Sequence, residues 1–99
     1  MNYRLIVRPL AERDLGDAQR WYEEQRAGLG SDFRAAIDNV FRRIAGNPQH
    51  YPVVYRGLRR VVMRRFPYLI YYTVQSEVVT VVACWHSKRD PKQIRWRGP

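Results

Sequence analysis

The run Val78-Val79-Thr80-Val81-Val82-Ala83 constrains the fold of this chain more than any other stretch. Five of its six residues are β-branched, stiff at χ1 and crowded in a helix, so the run favours extended backbone. It carries no charge and no strict polar alternation, the mark of a central strand buried on both faces. Such a strand needs neighbours on each side and cover above and below, and the rest of the chain must supply them.

Cover comes from two helical stripes. Ala11, Leu15, Ala18 and Tyr22 recur at helical spacing and predict a helix from about Leu10 to Arg26, with Pro9 suited to its first position. Gly16 inside it costs about 1 kcal/mol relative to alanine, and Arg8 has no acceptor with which to cap it. Gly28-Leu29-Gly30 breaks the pattern, and Ser31 or Asp32 is the expected cap of a second helix. That helix carries Phe33, Ile37, Val40, Phe41 and Ile44 on one face and stops at Gly46-Asn47-Pro48. The short join makes the pair an antiparallel hairpin.

Strands supply the neighbours. Tyr3 to Arg8 alternates as a strand, and Leu58–Arg65, Tyr68–Val74 and Val78–Trp85 are three more, the last two joined tightly through Gln75-Ser76-Glu77. Gln49 to Gly57, with Pro52 inside it, reads as an irregular connector. The expected architecture is α+β in the order β-α-α-β-β-β, a helical hairpin packed on a curled, mainly antiparallel sheet. Ninety-nine residues hold one domain of this kind, with 88–99 as a basic C-terminal tail.

Charge is segregated along the chain. The net charge is +9. Between Pro9 and Gly46 six basic residues face seven acidic ones, whereas from Asn47 onward ten basic residues are opposed only by Glu77 and Asp90. Sixteen of the 18 basic residues are arginine, so a compositional bias is the bland explanation, but bias alone does not place the excess in one half. A field of this kind suits a polyanionic partner: nucleic acid, ribosome or an acidic protein. The single cysteine, Cys84, excludes an intrachain disulfide and a cysteine-based zinc site, and suits a reducing compartment. No stretch approaches the roughly 20 apolar residues of a membrane span, and the N-terminus has no apolar run of signal-peptide length, so the cytoplasm is the expected location. No metal or organic cofactor has a visible site.

Several local sequences resemble a known family. Ala11-Glu12-Arg13-Asp14-Leu15 is similar to the Ala-Glu-x-Asp-Leu signature near the start of RelE/ParE-type toxins, and Ala45-Gly46-Asn47-Pro48 to the stop of their second helix. Arg59-Arg60, then Arg65-Phe66-Pro67-Tyr68-Leu69-Ile70-Tyr71-Tyr72, then His86-Ser87-Lys88-Arg89-Asp90-Pro91 resemble the family's arginine-rich strand, its Phe-Pro-Tyr core strand and its His-x-x-Arg-Asp-Pro turn. The pieces keep their order and spacing over nearly the whole chain. The resemblance implies the toxin of a type II toxin–antitoxin, or plasmid stabilisation, system, held with a cognate antitoxin in a hetero-oligomer. Its target would be DNA gyrase, or the ribosome with its mRNA. Lysines are few and the middle strands lack an array of acid–base groups, which sets the chain nearer the gyrase-directed ParE side.

The ribosome-dependent nuclease alternative has its own candidates. Cleavage by a ribose 2′-oxygen needs a base, an acid and cations for the phosphorane. His86, Arg64, Arg89 and Tyr71 would supply them. Target or nucleic-acid contacts would come from Arg60, Arg64, Arg65, Lys88, Arg89, Arg95 and Trp96, the last two in the basic aromatic tail. Antitoxin contacts would come from Trp21, Tyr22, Arg60 and Arg64. Each has a structural reading beside it: His86 as a strand-end residue, the arginines as solvated surface, the tyrosines as sheet packing, and Cys84, alternating with Val82, as core. A basic nucleic-acid-binding module without toxicity is the third reading.

Overall fold

The computed structural model describes residues 3–97. The chain runs β1 (Arg4–Val7), α1 (Pro9–Gln25), α2 (Leu29–Gly46), a 3₁₀ turn at Pro48–His50, β2 (Val53–Tyr55), β3 (Leu58–Val62), β4 (Tyr68–Gln75), β5 (Val78–His86) and a 3₁₀ segment at Pro91–Arg97. The five strands form one sheet in the order β1-β5-β4-β3-β2. β1 runs parallel to β5 and every other pairing is antiparallel. The β-branched run therefore lies between two strands, as its composition requires. The helical hairpin covers one face of the sheet, giving the expected α+β architecture with one strand more than expected. No helix among the described residues is long and apolar enough to cross a membrane.

The helical stripes are the ones the spacing predicts: Ala11, Leu15, Ala18 and Tyr22 from α1, and Phe33, Ile37, Val40 and Ile44 from α2, are buried. They meet Ile70, Tyr72, Val79, Val81 and Cys84 across the sheet. A second, smaller core lies on the other face, where Leu58, Tyr71, Val82, Ala83 and Trp85 are covered by Ile94 of the C-terminal segment. The tail is thus folded back on the sheet up to Arg97, and Gly98 and Pro99 lie outside the described residues.

Three local expectations need correction. The connector from Gln49 to Gly57 contains β2, which pairs with β3 through a two-residue turn at Arg56-Gly57; both turn residues have positive φ, 40° and 79°. Two successive positive φ values match the right-handed strand twist of a tight hairpin, and glycine bears the second without strain. The second helix starts at Leu29, three or four residues early, and is capped neither by Ser31 nor by Asp32. Glu23 of α1 accepts the N–H groups of Gly28 at 2.9 Å and Gly30 at 3.0 Å, so a carboxylate from the preceding helix sits at the positive end of this one. Finally, Cys84 and Val82 do not share a face. In the β4–β5 ladder Tyr71 pairs with Ala83 and Tyr72 with Val81, which leaves Val82 unpaired in a β-bulge. The bulge reverses the alternation, placing Val79, Val81 and Cys84 against the helices and Val82, Ala83 and Trp85 on the outer face.

At Gly30 the second helix lies close against the first. A Cβ built there would lie 2.7 Å from the Gln19 backbone oxygen and 2.9 Å from a Glu23 carboxylate oxygen. Gly30→Ala is expected to destabilise the protein by about 1–3 kcal/mol despite the better helix propensity of alanine. Urea unfolding of the variant measures this, and a stabilised variant would contradict the close approach.

Candidate functional site

β5 outruns its parallel neighbour. β1 accompanies it only to Val7 opposite Val81, and β5 continues to His86. Side chains serve the open edge. Asp14 of α1 accepts the Cys84 N–H at 3.0 Å, and Arg97 donates to the Val82 carbonyl at 3.2 Å. The two side chains also form a bidentate ion pair at 2.6 and 3.0 Å, with only 12% and 11% of their surfaces exposed. Arg8 donates to the Arg97 carbonyl at 3.2 Å. One cluster thereby ties the start of α1, the bulged strand and the end of the chain together. Asp14 is the acid of the sequence signature noted above, and its role here is architectural.

Between α1 and the free end of β5 lies a groove of about 280 Å³ lined by Asp14, Asp17, Trp21, Tyr68, His86 and Arg89, among others. Trp21 is 54% exposed and forms one lip. His86 meets Tyr68 edge-on at 5.1 Å, and its Nδ1 accepts the Lys88 N–H at 3.1 Å, so that nitrogen shapes the turn. Arg89 lies 3.5 Å above the Trp85 ring, whose Nε1 donates to the Asp90 carbonyl at 3.2 Å. Burial, with Asp14 nearby, holds the Cys84 thiol well above the usual range, so it stays protonated and is no nucleophile. Burial, reinforced by Tyr22, pushes the Tyr68 hydroxyl up to about 12.

On the opposite face of the sheet is a smaller cleft of about 180 Å³ between β2, β3 and the C-terminal segment. Arg60, Tyr71, Lys92, Ile94 and Arg95 line it together with Val54 and Tyr55. The Arg60 Nε is buried with no hydrogen-bond partner among the described residues.

The candidates read from the sequence are therefore dispersed. His86 and Arg89 share the groove; Arg60, Tyr71 and Arg95 share the cleft behind the sheet. Arg64, Arg65 and Lys88 are exposed in turns, with Arg65 paired to Asp32 at 3.2 Å and lying 5.0 Å from the Phe66 ring centroid. Trp96 stands out in solvent at 89% exposure, beside Leu10 and Arg97. Two candidates are buried. Tyr71 is 2% exposed and belongs to the outer core, so it offers no stacking face. Tyr22 is buried among Phe33, Phe66 and Tyr68, so it supports Trp21 from below and presents no surface to a partner. Sequence reasoning singled out neither Asp14 nor Arg97 as partners. An i,i+83 ion pair has no local signal beyond the two charges themselves.

Comparison with known proteins gives the class. Residues 5–91 match the family described as the ParE toxin of the type II toxin–antitoxin system parDE. Toxin ParE2 of Mycobacterium tuberculosis is 24% identical over 95 residues, covering 95% of this chain and 90% of its own. The fold is similar to that of a chain from the chromosomal ParDE toxin–antitoxin system of P. aeruginosa, with a TM-score of 0.66, 14% identity, and 87% and 97% of the two chains covered. It is also similar to a chain of the RelBE2 toxin–antitoxin complex of Mycobacterium tuberculosis, with a TM-score of 0.64, 17% identity, and 87% and 99% covered. The molecule thus has the RelE/ParE-type fold. It belongs to the ParE toxin family of type II toxin–antitoxin systems.

Two outcomes follow from the site. Asp14→Ala strands a buried guanidinium and an unserved strand edge; it should cost about 3 kcal/mol and speed amide exchange in Pro91–Arg97. Unchanged exchange there would contradict the latch. The second concerns alkali. Burial raises Tyr68 and, against the opposing pull of Arg59, Tyr72 to about 12 from 10.0. The native state then keeps protons that the unfolded chain releases near pH 10. The stability is complete below that pH and is lost as pH rises towards about 12. Urea midpoints should fall across this window, and Tyr72→Phe should flatten part of the fall.

Proposed function

We propose that this chain arrests bacterial growth in the cytoplasm by acting on DNA gyrase without catalysing a reaction of its own, and that a cognate antitoxin neutralises it. The observation that carries this reading is the division of the acid–base candidates by the sheet. His86 lies on the helix side and Tyr71 is buried on the opposite face of the sheet, so the two cannot meet one scissile phosphate. The His86 Nδ1 is already engaged by a backbone N–H, and the one thiol is protonated. Membership of the ParE family, and the ParE2 relative, support the same side. Of the nuclease candidates only Arg89 shares the groove with His86, and Arg89, bound over Trp85, is a cation and no base.

The antitoxin partner is supported by the neighbours, whose structures come from ParDE and RelBE2 toxin–antitoxin systems. Its contacts would centre on the Trp21 groove and continue to Arg60 and Arg64. Because Trp21 and Arg60 stand on opposite sides of the sheet, one partner touching both must wrap round an edge. The remaining basic and aromatic surface, Arg65, Lys88, Arg89, Arg95 and Trp96, is left to the target.

Inducing the chain alone should produce DNA breaks and filamentation while pulse-labelled protein synthesis continues, and His86→Ala should remain toxic. An immediate halt in translation with cleaved mRNA, abolished by a folded His86→Ala variant, would replace gyrase with the ribosome as target. Co-expression of the antitoxin should restore growth.

A further inference from the structure

The cleft behind the sheet shares only Arg95 with the surface left to the target, and its chemistry is specific. Three cations converge on it, Arg60 from β3 and Lys92 and Arg95 from the C-terminal segment, and none makes an ion pair among the described residues. Asp90, the acidic residue closest in sequence, uses its carboxylate to accept the Lys92 backbone N–H at 2.9 Å. The Arg60 Nε has left water without gaining an acceptor. A guanidinium in that state lacks a hydrogen bond that an entering anion would supply.

Size and walls narrow the anion. About 180 Å³ is below the roughly 300 Å³ at which small-molecule pockets begin, so the cleft takes one anionic group, not a nucleotide. Nor is there a ring face for a base to stack on. Tyr71 is buried, and the guanidinium groups of Arg56 and Arg95 already lie 5.5 and 5.2 Å from the Tyr55 ring centroid. Beside the cations the surface is apolar: Val54 lines the cleft, and Val62, 63% exposed, stands two residues from Arg60 on the same face of β3. Nucleic acid would leave that strip uncovered, whereas a polypeptide carrying apolar side chains next to a carboxylate would cover it.

We propose that the cleft is a carboxylate receptor for an acidic, apolar segment of a protein partner, with a glutamate or aspartate seated among Arg60, Lys92 and Arg95 and aliphatic side chains on Val54 and Val62. The proposal rests on the antitoxin reading above and deepens it by naming a single anchoring charge on the face away from the helices. The closure of the C-terminal segment by Arg97 and Ile94 holds two of the three cations in place, so the receptor is built by the fold and not by the arginine-rich strand alone.

The test follows the Arg60 Nε–H and the Tyr55 ring signals of the isotopically labelled full chain by NMR. The probes are a capped pentapeptide alternating leucine and glutamate, its glutamine counterpart, inorganic phosphate, and a short single-stranded DNA. The glutamate peptide should move both signals, with the glutamine peptide, phosphate and DNA each at least about tenfold weaker at Arg60. Arg60→Gln and Arg95→Gln should each weaken the glutamate peptide about tenfold. Arg95 is exposed, so its variant keeps the fold should Arg60→Gln fail to. Unmoved Arg60 and Tyr55 signals, equal binding of the glutamine peptide or of phosphate, or DNA acting at lower concentration than the peptide would each overturn the proposal. Peptide binding at Arg60 with no relief of growth arrest by antitoxin would defeat the antitoxin reading and leave the receptor standing; relief without an Arg60 response would do the reverse.

Discussion

A β-strand that outruns its neighbour leaves backbone N–H and C=O groups facing outward, and each must find a partner or be solvated. β5 does this from Val82 to His86, where β1 no longer accompanies it. The groups are met by an aspartate from α1 and an arginine from the last turn of the chain, which neutralise each other in the same act. The arrangement sets the height of α1 over the strand end, and so the width of the groove beside Trp21. It also fixes the path of the C-terminal segment, whose Ile94 closes the outer core and whose Lys92 and Arg95 complete the cleft behind it. Both the groove and the cleft depend on one buried ion pair and the edge it serves.

The positive excess of the C-terminal half is consequently not one field. Arg97 is buried in the latch, and Arg59 turns inward to donate to the Gln49 carbonyl at 3.1 Å and to that of Tyr51. Arg65 is paired with Asp32, and Arg89 is spent on the Trp85 ring. Arg60, Lys92 and Arg95, which make no ion pair among the described residues, share the cleft behind the sheet. Charge counted along the sequence therefore overstates what a long polyanion would meet and understates how sharply a single anion would be recognised. This favours recognition of proteins over non-specific attraction to nucleic acid, whose affinity scales with the number of phosphates neutralised.

Periodicity was a reliable guide wherever local backbone geometry decides the outcome. The four buried residues of α1 are the four of its stripe, and those of α2 follow the same rule, because a helix with one apolar face has one way to hide it. The β-branched run lies between two strands for an equally local reason. The short β2 was less legible: Pro52 argued for a connector, and Arg56-Gly57 is a weak form of the turn signal, since arginine at positive φ is uncommon. The cap of α2 was misread because its acceptor, Glu23, stands on the preceding helix and not at the usual cap position.

The sequence by itself determined the class of fold, the helical faces, the buried strand and the family to which the chain belongs. The tertiary structure alone decided which chemistry those residues can share. A single unpaired residue, Val82, reverses the facing of every side chain beyond it, because alternation in a strand has a period of two and one insertion shifts it by half. That bulge puts Cys84 against the helices and Trp85 behind the sheet, and it leaves Tyr71 and His86 on opposite sides. Nothing in the β-branched run Val78–Val82 marks where the extra residue falls. Its position follows from β1 ending at Val7 and from Asp14 and Arg97 meeting at the open edge, contacts spanning most of the chain.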